Sequence, residues 1–70
     1  MIKVKDLLKI TEGGTHIAIY DGNKGITVFD DMLLADRINV ITEVYGEYLV
    51  TAINTDKSYP DEFDFEIVIL

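Results

Sequence analysis

Carboxylates are the commonest chemistry-bearing side chains in this chain, and they fall into two groupings. Asp30 and Asp31 are adjacent, with Asp36 further along, an arrangement that suits cation ligation or a paired acid and base. Helix capping accounts for the same residues with fewer demands, because an aspartate ahead of a helix accepts hydrogen bonds from its first free amides. The second grouping is Asp61, Glu62, Asp64 and Glu66. On an extended backbone the last three share a face, with neighbours about 7 Å apart, comparable to phosphates along one nucleic-acid strand. Such a row suits nucleic-acid mimicry in a basic cleft. It equally solubilises a small domain and discourages edge pairing.

The remaining chemistry is sparse. His16 is the only histidine and there is no cysteine, so neither a thiolate metal site nor a disulfide framework is available. Gly13-Gly14-Thr15-His16 lacks the lysine and spacing of a phosphate-binding loop. Asp21-x-Asn23 opens like a calcium loop, but Gly25 and Ile26 stand where a third oxygen ligand and the turn glycine belong, which leaves a plain turn. Thr51 and Ser58 have no base beside them, so a nucleophilic triad would need His16 by coincidence. No catalytic, cofactor-binding or metal-binding residue is expected, and the chain is not expected to be an enzyme. Tyrosine offers a different lead. Tyr20, Tyr45, Tyr48 and Tyr59 are many for a small core, and exposed tyrosine is enriched at protein interfaces. Tyr59 beside Pro60 leads the candidates, followed by Tyr48 and Tyr45.

Bulk charge narrows the partner. Net charge is −7 over 70 residues, which disfavours electrostatic attachment to nucleic acid or to an anionic membrane. Residues 1–9 carry Lys3, Lys5 and Lys9 against Asp6, so the basic opening is expected to lie on the acidic body. Met1-Ile2-Lys3-Val4-Lys5-Asp6 meets charge too soon for a secretory apolar segment, and no run is long enough to span a bilayer. A cytoplasmic location is expected, with a host protein or a second copy of the chain as partner.

These residues need elements to position them. Seventy residues make one domain, 1–70. Val4, Leu7 and Leu8 share a helical face, giving a short opening helix stopped by Gly13-Gly14. Thr15 to Tyr20 and Ile26 to Phe29 flank a turn-rich loop and read as a hairpin. Asp30 or Asp31 is expected to cap a helix of one or two turns through Arg37. Ile38 to Tyr45 is rich in β-branched residues and reads as extended, followed by a turn near Gly46-Glu47 and a strand over 48–54. Thr55 to Asp61 reads as a loop. In the closing segment Phe63, Phe65, Ile67 and Ile69 alternate with Glu62, Asp64 and Glu66, so it reads as a strand, antiparallel to 48–54, with an oily inside and an acidic outside. The expected class is α+β: an antiparallel sheet of about five strands with a short N-terminal helix, either curled into a small SH3-like open barrel or flat with one helix packed across it.

The Val-Lys-Asp-Leu-Leu opening, the Thr-His-Ile-Ala-Ile-Tyr-Asp strand and the final alternating acidic strand together resemble small acidic proteins carried by prophages of low-GC Gram-positive bacteria. The similarity is one of pattern over most of the chain and carries no functional residues across. It implies an accessory protein that inhibits or redirects a host protein by binding it. Mimicry of nucleic acid, or a structural, self-assembling subunit, is the alternative expectation.

Overall fold

The computed structural model describes residues 2–55 and 63–70. The chain opens with helix α1, Val4–Ile10, as the apolar spacing predicts. The backbone N–H of Lys3 donates to Asp6 Oδ2 at 3.2 Å, which satisfies an amide that the first turn leaves unpaired. At the other end Thr11 Oγ1 donates to the Leu7 carbonyl at 2.7 Å, and Gly14 takes φ 87° to reverse the chain, a conformation that suits a residue without Cβ.

Strands β1, His16–Asp21, and β2, Ile26–Met32, form the expected antiparallel hairpin. Its turn is held from within. Asp21 Oδ1 accepts the backbone N–H groups of Asn23 at 2.9 Å and Lys24 at 3.1 Å, so the carboxylate that opens like a calcium ligand is consumed in an Asx turn. Register shifts between Ile19 and Tyr20: Ile19 pairs with Phe29 and Tyr20 with Thr27, leaving Val28 as the extra residue of a bulge. A bulge re-aims side chains, and here it accompanies the placement of both Val28 and Phe29 against the core.

The next element departs from expectation. Asp30 and Asp31 belong to β2 and cap no helix; helix α2 runs Ala35–Tyr45 behind Leu34, with no side-chain cap. Residues 38–45, expected to be extended, are therefore helical. Their β-branched content favours a strand, but Ile38, Ile41 and Tyr45 recur at helical spacing and all pack on the core. Burial of that stripe outweighs local propensity. The turn after Tyr45 falls at Gly46, as expected.

Strands β3, Val50–Asn54, and β4, Phe65–Ile69, complete one sheet in the order β2-β1-β4-β3. The β3–β4 pair is antiparallel, as the sequence implies, but β4 lies parallel to β1, with Ile17 opposite Phe65 and Ile19 opposite Ile67. Among the described residues the expected all-antiparallel sheet of five strands is instead a mixed sheet of four, and it is open. No SH3-like closure occurs, because the segment expected to supply a strand forms α2 and the two edges, β2 and β3, stay apart.

One face of the sheet carries Ile17, Ile19, Ile67 and Ile69, all fully buried with Val4, Leu8, Leu33 and Ile41. Residues from both helices join this single cluster, so α1 and α2 cover that face in a two-layer arrangement. The closing segment has the expected polarity in part: Phe63, Ile67 and Ile69 are buried and Asp64 is exposed, but Phe65 and Glu66 are both half-buried. A slip of one residue would exchange those environments.

Candidate functional site

An open groove of about 500 Å³ runs between α2 and the edge strand β2. The helix lines it with two rows at i, i+4 spacing, Asp36-Val40-Val44 and Arg37-Ile41-Tyr45, and the strand contributes Val28 and Phe29. Ile41 is buried and Tyr45 half-buried, so one row anchors the helix to the core. The other row faces water: Val40 is 61% and Val44 54% exposed. Two exposed valines one turn apart thus line a groove beside a sheet edge that no described strand covers.

The polar groups at the groove are arranged unequally. Arg37 Nη1 donates to Asp31 Oδ2 at 2.6 Å, while Asp31 Oδ1 accepts the backbone N–H of Met32 at 2.7 Å. Asp31 thereby holds the cation and seals one outward amide of β2 at the same time. Asp36 has no ion-pair partner among the described residues. Across β2 and α2 the acids are Asp30, Asp31, Asp36 and Glu43 and the only base is Arg37, so the groove lies in a negative field. Few polar groups converge on its floor, unlike a site that orients a small molecule.

The expected partner-binding residues that the structure describes, Tyr45, Tyr48, Asp64 and Glu66, lie in different parts of the fold. Tyr45 and Tyr48 meet edge to face, with ring centroids 5.7 Å apart and planes at 71°, and Tyr48 is 42% exposed. Of these two, only Tyr45 lines the groove. Asp64 lies just before β4, at the end remote from Tyr48, because β3 begins opposite Ile69. Its Oδ2 accepts the backbone N–H of His16 at 3.0 Å. Glu66 is half-buried on an interior strand, opposite Ala18 on one side and Asn54 on the other. Tyr59, Asp61 and Glu62, with most of the expected loop 55–61, lie outside the described residues. Sequence reasoning missed Val28, Phe29, Asp36, Val40 and Val44 as a group. The signal was the pair of i, i+4 rows, legible only once 36–45 is taken as a helix.

The basic opening segment does lie on the acidic body. Lys3 Nζ and Lys5 Nζ donate to the two carboxylate oxygens of Glu47 at 2.6 and 2.7 Å, tying the start of α1 to the turn after α2. Hydrogen bonds from the two ammonium groups, Lys3 first, hold the Glu47 carboxyl at about 2, and the bond to Glu47 raises the Lys5 ammonium above its ordinary value. The cluster is exposed, so screening by water limits its weight.

Reactive groups are dispersed. His16 Nε2 lies 2.5 Å from Asp30 Oδ1, but Thr51 Oγ1 donates to the Val68 carbonyl at 3.2 Å, two strands away from His16 in the sheet order. Ser58 lies outside the described residues. Asp30, Asp31 and Asp36 each face a different setting, and among the described residues no three His, Cys, Asp or Glu side chains gather to hold a metal ion. Among the same residues no helix is long and apolar enough to cross a membrane. Comparison with protein-family models, with curated proteins and with solved structures finds no match to this chain.

Proposed function

We propose that the chain is a non-enzymatic protein-binding module whose contact surface is the groove between α2 and β2. The observation that carries this reading is the exposed pair Val40 and Val44 beside the core-facing Val28 and Phe29 at an unpaired sheet edge. Apolar surface of this kind is stabilised by covering it, at about 25 cal/mol per Å² removed from water. The resemblance to prophage-carried proteins supports a host protein as the partner, inhibited or redirected by occupation of its own surface. Nucleic-acid mimicry draws less support, since Asp64 is tied to the His16 amide and Glu66 is half-buried.

The test is capture from host extract on immobilised wild-type chain and on the double variant Val40→Asp, Val44→Asp. Both positions are exposed, so the variant should keep its circular dichroism spectrum and melt within a few degrees of wild type. A protein retained by wild type and by a Glu12→Gln control, but lost from the groove variant, supports the reading. Retention of the same partner by the folded groove variant sinks it.

A further inference from the structure

Resting on that reading of the groove, we propose that its occupant is an extended segment of a partner protein that adds a fifth strand to the free edge of β2 and places a lysine or arginine against Asp36.

Three observations lead there. The first is the backbone. Leu33 donates its N–H inward to the Thr15 carbonyl at 2.8 Å, so alternation along β2 turns the N–H and C=O groups of Met32 and Asp30 outward. Asp31 Oδ1 occupies the Met32 amide, whereas Asp30 presents its main chain to the edge. A pairing strand thus has a start, set by the Asp31–Arg37 cluster, and pairs first with Asp30, beyond which the Val28 bulge bends the edge.

The second is spacing. A strand added about 4.8 Å beyond β2 directs alternate side chains to the helix-covered face, about 6.6 Å apart. Val40 and Val44 stand one turn apart on α2, about 6 Å of helical rise. Two successive inward side chains of the added strand therefore meet two valines, with Val28 and Phe29 beneath them. A helix laid in the same place would bring its apolar stripe to the valines but leave the Asp30 edge groups unpaired.

The third is charge. Asp36 lines the groove with no ion-pair partner among the described residues, and the only base of the two bordering elements is already held by Asp31. The whole chain is at −7. A second copy would bring like charge to an already negative rim, so a basic segment of another protein is favoured over self-pairing.

The experiment selects a random dodecapeptide display library on the wild-type chain, with the Val40→Asp, Val44→Asp variant as counter-selection. Expected winners carry apolar residues at alternate positions with a flanking Lys or Arg, and bind Asp36→Asn about two- to fivefold more weakly, as for an exposed ion pair. Methylating the backbone nitrogens of one parity in a winning peptide should weaken binding at least tenfold. Methylating the other parity should not, and hydrogen exchange at the Asp30 amide should slow on binding. Winners with apolar residues at i, i+3 and i+4, or binding indifferent to backbone methylation, overturn strand addition while leaving the groove reading intact. Winners without a cation, or unaffected by Asp36→Asn, overturn the charge assignment. No enrichment over the counter-selected variant, or groove-dependent self-association in sedimentation, overturns both this proposal and the reading beneath it.

Discussion

Glu47 shows how a single exposed residue can do structural work through geometry. It receives both Lys3 and Lys5 and so clips the N-terminal helix to the turn that ends α2. Its carboxyl is depressed from 4.5 to about 2, so the contribution is present above pH 4.5 and is lost as pH falls toward 2. Melting temperatures of wild type and Glu47→Gln, measured from pH 7 to pH 2, should differ at neutral pH and converge through that window. A constant difference would show that the pairing is not what Glu47 contributes. Concentrated salt should shrink the difference at neutral pH.

Helix α2 has two faces that mutation should separate. Ile41 is buried, and Ile41→Ala removes core contacts, with an expected loss of about 2–5 kcal/mol. Val44 is exposed on the adjoining row, and Val44→Ala should change stability by less than about 0.5 kcal/mol. Chemical denaturation of the two variants checks this. Comparable losses would mean that the valine row is packed and the groove is not a free surface. The same element shows where sequence reading stops. The hairpin around Asp21 and Gly25, the short helix before Gly13-Gly14 and the alternating closing strand are local patterns, and local chemistry decides them. Residues 38–45 are different. Ile, Val, Thr and Tyr fit a strand by propensity, and only the sheet beneath them selects the helical phase that buries Ile38, Ile41 and Tyr45. Because the groove rows exist only in that phase, the candidate site was illegible for the same reason. The acidic alternation of Asp64 and Glu66 was legible, but the interior place of β4 was not, since strand order is a property of long-range pairing.

At the scale of the molecule, β4 unites the sheet. It pairs with β1 on one side and β3 on the other, and its Ile67 and Ile69 are fully buried. Deleting residues 67–70 removes two core isoleucines worth roughly 1.5–3 kcal/mol each, along with most of both ladders. Total stability for a chain of this size is about 3.5–10 kcal/mol. The truncated chain should show no cooperative thermal transition by circular dichroism; a cooperative melt would place the core elsewhere.

The parallel pairing of β1 with β4 also imposes an order of events on biosynthesis. The ribosome delivers Ile17 and Ile19 early, yet their neighbours Phe65 and Ile67 emerge only after both helices and β3 have been made. Until then the inner edge of β1 has no strand beside it, and the nascent polypeptide carries an unfinished template open to stray pairing. Completion of the sheet waits on β4, so slowed translation across 55–69 would prolong the interval in which the inner edge of β1 is open to stray pairing.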